Sequence, residues 1–126
     1  MTPAIPLAFC AVLGVLAVFQ LLLIVGLPFG RFAWGGQNTV LPTRQRVGSA
    51  VSIVIYAAFA VVALERAGLI SILTSPFVAV VAMWVIAVYL LLSLLPNLAS
   101  KSKYERRVMA PVSLVLAGLG FLLALS

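Results

Sequence analysis

The sequence predicts an all-α membrane protein, a bundle of four transmembrane helices, on three observations. Hydrophobic residues make up 65% of the 126 and charged residues only 8%. Mean hydropathy is +1.31, far from the composition of a water-soluble domain. The eight Lys/Arg and two Asp/Glu fall in short clusters, leaving charge-free stretches at 1–30, 47–64, 67–100 and 108–126. Roughly 20 apolar residues cross a hydrocarbon core of about 30 Å. The 47–64 stretch falls short, but Arg44, Arg46, Glu65 and Arg66 at its flanks can snorkel to the headgroups while the helix runs past its apolar part. A single four-helix domain over 1–126 follows.

The first helix is expected over about 3–27. Thr2-Pro3 places a hydroxyl at the N-cap and a proline at N1, and Gly26-Leu27-Pro28 closes the run. No basic residue precedes Arg31, and a run of about 25 residues exceeds the 7–15 of a signal-peptide core, so this segment is expected to be retained as a span. The second helix is expected over 44–66, with Gly68 suited to its C-cap. Ser75-Pro76 opens the third and Pro96, lacking an N–H, is expected to close it, giving 76–95. Ser102-x-x-Glu105 has the capping-box form and opens the fourth, 103–125, in which Pro111 is expected to produce a kink.

Orientation follows from the loop cations. Arg31, Arg44 and Arg46 precede the second helix and Lys101, Lys103, Arg106 and Arg107 flank the start of the fourth; Arg66 alone lies on the other side. The basic side is expected to face the cytoplasm, with both termini outside. The net charge of +6 then points to anionic lipid as the partner, and no aromatic-interleaved motif points to nucleic acid.

Aligning Arg44–Val54 with Glu105–Val115 matches Arg46/Arg107, Val47/Val108, Val51/Val112, Ser52/Ser113 and Val54/Val115. Two readings stand: two parallel two-helix repeats, as in some transporters, or coincidence in a biased composition. Leu27-Pro28 and Leu95-Pro96 are expected to close the preceding helix in each half.

Histidine is absent and Cys10 is the only cysteine. His-ligated haem, His/Cys zinc sites, CxxC redox pairs and His-dependent triads are thereby excluded, and no cofactor or metal is expected. Only Glu65 and Glu105 are left for acid–base work, both at expected helix borders, so an enzyme is not expected.

Candidate binding residues lie on the basic side. The first connection, Pro28 to Asn38, gathers Arg31, Trp34, Gly35, Gly36, Gln37 and Asn38. Its glycines allow close backbone approach, Phe32 and Trp34 suit the interface, and Arg31 suits a phosphate or carboxylate. The alternative is an interfacial loop packed on the helix ends, with Arg31 on lipid phosphate. Arg44 and Arg46 follow. The second cluster contributes Asn97, Ser100, Glu105 and Arg106, with Glu105 either capping the fourth helix or pairing with Arg31, Arg44 or Arg46.

Within the spans the polar groups are Gln20, Ser49, Ser52, Tyr56, Tyr89, Ser93 and Ser113, none a carboxylate of the kind a proton-coupled exporter needs. Gln20 reads as an interhelical hydrogen-bonding residue. Small residues recur four apart at Cys10/Gly14, Gly48/Ser52, Ser113/Ala117 and Gly120/Ala124, serving either a tight bundle or a homodimer.

Ala33-Trp34-Gly35-Gly36 and Asn97-x-x-Ser100-x-Ser102-x-x-Glu105-Arg106 resemble segments of uncharacterised small four-span membrane proteins of bacteria. The resemblance implies the bacterial cytoplasmic membrane and carries no activity. Small multidrug resistance transporters are similar in size, but their first-helix carboxylate has no counterpart between Pro3 and Gly30. Vitamin K epoxide reductase-like enzymes share the four-helix frame but need paired cysteines. The expectation is a non-enzymatic bundle whose cytoplasmic connections bind anionic lipid headgroups or a partner protein; the competing expectation is a small dimeric transporter or channel.

Overall fold

In a computed structural model the chain forms α1 (Ala4–Ile24), α2 (Thr43–Arg66), α3 (Pro76–Ala99) and α4 (Ala110–Leu125), with a short 3-10 turn at Gly30–Phe32 and a π-helical turn at Glu105–Met109 leading into α4. The structure describes residues 4–33, 36, 38–72, 75–100 and 102–126, with the side chain of Arg31 left out. Among them four helices are long and apolar enough to cross a membrane, the last counted from Glu105 to Leu125, and no strand occurs. The all-α four-helix bundle read from the sequence is the fold.

Two helices end in the same device. Gly26 and Gly68 adopt φ of +98° and +79°, the left-handed region that glycine enters without steric cost. After α1, Leu27 N–H reaches the Leu22 carbonyl (3.1 Å) and Gly26 N–H the Leu23 carbonyl (3.2 Å). After α2, Leu69 N–H reaches Leu64 (2.9 Å) and Gly68 N–H reaches Glu65 (3.0 Å). This is the Schellman arrangement, which satisfies carbonyls at a helix end. It places the end of α1 at Ile24, earlier than Leu27, because the turn begins before Pro28 is reached.

Pro96 does not end α3, contrary to the expectation from the sequence. The helix runs on to Ala99. The turn beyond the proline is tethered from outside the helix, Asn97 Nδ2 donating to Ser113 Oγ of α4 at 2.5 Å. This contact between helices holds the turn in place where the proline has removed a backbone N–H. At the other end of α3, Ser75 and Pro76 occupy the N-cap and N1 positions as expected, but the Ser75 hydroxyl makes no capping bond. Thr2 and Pro3 lie outside the described residues.

Close packing is concentrated in the half of the bundle away from the basic loops. Phe9 and Leu13 of α1 and Ala63 of α2 meet Met83, Ala87 and Leu90 of α3 and Leu116, Ala117 and Leu123 of α4 in one buried cluster. Gly120 makes this approach tight: a Cβ there would sit 3.5 Å from Leu90 Cδ1 and 3.6 Å from both Ala87 Cα and Phe9 Cε2. The Gly120/Ala124 pair therefore serves the bundle itself, both residues being buried. Gly14 has nothing within 4 Å of its Cβ position, so the Cys10/Gly14 pair is not used in the same way by glycine contact within the chain.

The same end is tied by charge. Arg66 donates to the carbonyls of Ala124 (3.4 Å) and Ser126, and the Glu65 carboxylate accepts the Ile72 N–H at 2.6 Å. Glu65 thus fixes the turn after α2. Outward faces carry Val15, Val18, Val54, Val85, Leu92 and many other exposed apolar side chains, the surface a hydrocarbon solvent covers.

Candidate functional site

At the basic end the packing opens. The first connection is folded back by Gly30, whose N–H donates to the Thr39 carbonyl at 2.8 Å. A Cβ at Gly30 would overlap the Asn38 carbonyl oxygen and lie 2.7 Å from that of Thr39, so only glycine allows this crossing. The turn delivers Phe32 inward. Its ring makes edge contacts with Phe19 of α1 (6.5 Å between centroids) and Tyr104 at the entry to α4 (5.5 Å), and the Lys103 ammonium lies 5.4 Å from the Tyr104 centroid. Offset and edge contacts of this kind contribute about 1 kcal/mol each beyond burial. Phe32 is therefore not a free interfacial anchor; it latches the first connection to the start of α4.

The second connection is ordered by serines. Ser100 Oγ accepts the Ser102 N–H at 3.1 Å, and Ser102 Oγ accepts the Glu105 N–H at 3.4 Å. The hydroxyl half of the expected capping box is present. The Ser102 N–H that the glutamate half would engage goes to Ser100 Oγ instead, and Glu105 is buried, 6% exposed, and lines a cavity. Glu105 opens the last span, at its border as expected, and a π turn begins there. Ala110 N–H bonds back to the Glu105 carbonyl, an i to i−5 closure that admits one extra residue. Its cause is Pro111, which has no N–H and whose ring would strike the carbonyl four residues earlier in a regular helix.

The cavity has a volume of about 320 Å³ and is lined by residues from all four helices and from the latch. Gln20 comes from α1 and Ser52 and Tyr56 from α2. Tyr89, Ser93 and Asn97 come from α3, and Glu105 and Ser113 from the start of the last span. Six of the seven polar residues found within the spans by sequence converge here; Ser49 alone does not, its buried hydroxyl oxygen having no hydrogen-bond partner. Ser52 and Ser113, equivalent in the internal alignment, line the same space. Aromatic side chains complete it, with Phe59 and Tyr89 in edge contact at 5.8 Å and Phe19 and Phe32 forming the end nearest the basic loops. From Glu105 to Leu116 the lining descends about 16 Å at ~1.5 Å per residue.

Gln20 bridges helices as expected, Nε2 donating to the Tyr56 hydroxyl at 3.5 Å. Its Oε1 is buried without a hydrogen-bond partner.

The sequence-nominated binding residues divide into groups. Asn97 and Glu105 line the cavity. Ser100 and Arg106 pair with each other, Arg106 Nη1 donating to the Ser100 carbonyl at 2.5 Å. Asn38 Nδ2 donates to Gln45 Oε1 at 3.4 Å, and Arg46 Nε to the Leu41 carbonyl at 2.8 Å, so both fasten the first connection to α2. Gly36 turns with φ of +73°, its N–H on the Ala33 carbonyl at 2.8 Å. Arg44 is exposed. Trp34, Gly35, Gln37 and the Arg31 side chain lie outside what the structure describes. Sequence reasoning missed the cavity itself; the available signal was that Gln20, Ser52, Tyr89, Ser93 and Ser113 all fall in the half of their helices nearest the basic loops.

Comparisons with protein-family models, curated proteins and solved structures yield no match to this chain.

Proposed function

We propose that this chain is a non-enzymatic integral membrane protein of the bacterial cytoplasmic membrane, with both termini outside, whose basic end binds anionic lipid headgroups. One observation carries the reading. Two connections remote in sequence pack together through Phe32 and Tyr104, and around that junction Arg44, Lys103, Arg106 and Arg107 are exposed. Clustered cations at the cytoplasmic end of spans attract anionic headgroups by about 1 kcal/mol each. The test is native mass spectrometry of the protein released from bilayers containing phosphatidylglycerol. Arg31→Gln, Arg44→Gln and Arg106→Gln are each expected to reduce retained anionic lipid, by about fivefold for a full contribution of that size. Equal retention in all three variants would remove the reading.

Orientation is checked by thiol labelling in a Cys10→Ala background. A cysteine replacing Ser71 is expected to react with an impermeant reagent added outside, and one replacing Asn38 is not. The opposite pattern would invert the topology. A second reading, a small transporter working as a dimer, is favoured by one specific observation: the bundle holds a polar cavity instead of a core filled throughout by apolar side chains.

A further inference from the structure

The chemistry inside the cavity is opposite to that of the loops around it. Those loops are basic, whereas Glu105 is the only charged side chain among the described residues that line the cavity. Among the described residues it is one of the few buried polar ones, at 6% exposure. It lies in the first turn of a helix, at the positive end of the backbone dipole.

The neighbouring polar groups add acceptor character. Ser52 and Ser93 use their hydroxyl hydrogens on their own helices, donating to the Gly48 carbonyl at 3.0 Å and the Leu90 carbonyl at 2.7 Å. Each oxygen therefore retains lone pairs for an incoming donor. Asn97 Nδ2 commits one of its two hydrogens to Ser113 Oγ, and the Asn97 carbonyl oxygen and Gln20 Oε1, which is buried without a hydrogen-bond partner, add acceptors. The remaining walls include Phe19, Phe32, Tyr56, Phe59 and Tyr89. Aromatic side chains beside a carboxylate are the combination that holds an ammonium group, through ring quadrupole and counter-charge together. An anion in the same space would face Glu105 at low dielectric. The volume falls near the lower bound of small-molecule sites, about 300 Å³.

We propose that this cavity binds an organic cation, an ammonium group carried on an apolar body, with Glu105 as counter-charge and the aromatic side chains as walls. This goes beyond the lipid-binding reading of the basic end and does not rest on it. The ammonium has two available sources, an amine-bearing lipid headgroup entering from the bilayer or a free amphipathic amine.

The test is isothermal titration of the full chain in a neutral maltoside detergent with benzylammonium, and with benzenesulfonate as the anionic counterpart. The cation is expected to bind at least about tenfold more tightly than the sulfonate, and Glu105→Gln is expected to lower cation affinity by about tenfold or more. Tyr89→Leu retains the carboxylate and removes one wall, and is expected to weaken the cation by a few-fold. It supplies the answer if Glu105→Gln does not yield folded protein. No heat with the cation up to tens of millimolar, equal affinity for the sulfonate, or full cation affinity in either folded variant overturns the proposal.

Native mass spectrometry then separates the sources, using bilayers of phosphatidylglycerol with or without phosphatidylethanolamine. Retained phosphatidylethanolamine that benzylammonium displaces, and that Glu105→Gln loses, assigns the site to a lipid headgroup. Binding of the probe without retained phosphatidylethanolamine assigns it to a free amine. Either supports the shared chemistry.

Discussion

Gly30→Ala is expected to unlatch the first connection while leaving the four spans in place. The obstacle is backbone: the added Cβ would overlap the Asn38 carbonyl oxygen and approach Thr39 O to 2.7 Å, and neither atom can swing aside as a side chain does. The crossing must separate, and the Gly30–Thr39 hydrogen bond is lost with it, at about 1 kcal/mol. The Phe32 contacts to Phe19 and Tyr104 depend on the same turn and carry about 1 kcal/mol each. The core around Phe9, Met83 and Leu123 lies at the opposite end and contains none of these atoms. In a Cys10→Ala, Ser93→Cys background, thiol labelling is therefore expected to accelerate by at least about tenfold with Gly30→Ala, the factor for a loss of about 1.4 kcal/mol. The melting temperature should change little. An unchanged labelling rate would mean that Phe32 does not restrict access to the cavity.

This latch was only partly legible in the sequence. The spans were legible because 20 apolar residues have one low-energy use in a bilayer, and the α2 boundary fell within a residue of expectation for the same reason. The glycine-rich connection stood out by composition, yet a steric requirement at Gly30 depends on which carbonyls cross it, and those belong to Asn38 and Thr39. Pro96 misled because a proline's effect on a helix depends on its neighbours. The Asn97–Ser113 bond that tethers the continuing turn is a tertiary contact. Small residues four apart were equally ambiguous, and three-dimensional packing separates them: Gly120 meets α3 and α1 closely, and Gly14 meets nothing.

Glu105 shows the same limit most clearly. Ser102-x-x-Glu105 reads locally as a capping box, and the Ser102 hydroxyl does accept the Glu105 N–H. What the local pattern omits is a rotation imposed from downstream. Pro111 opens the helix into a π turn across Glu105–Met109, and one extra residue turns everything before it by about 100° relative to a regular helix. That rotation sets which way Glu105, at the border of the span, faces, and the residue lines the cavity together with Gln20, Tyr56 and Asn97.

Pro111→Ala is accordingly expected to move position 105 out of the cavity. The substitution restores an N–H at 111 and removes the ring that conflicts with the Arg107 carbonyl, so the α register regains its hydrogen bond and loses its steric penalty. In helix interiors the preference for alanine over proline reaches about 3 kcal/mol. Set against it is whatever the buried Glu105 gains from its surroundings, and the buried carboxylate carries a desolvation cost of its own. The regular helix should therefore win. In a Cys10→Ala, Glu105→Cys background the thiol is expected to be protected while Pro111 is present, since that position is 6% exposed. It should become reactive toward a water-soluble maleimide once Pro111→Ala is added. Because the deeper part of α4, with Leu116, Gly120 and Leu123 buried, lies beyond the turn, its packing should persist, and thermal stability should not fall. Equal protection in both backgrounds would show that the π turn is held by the packing of Phe32 and Tyr104 on the segment, and not by the proline. The position of the carboxylate would then be a property of the latch.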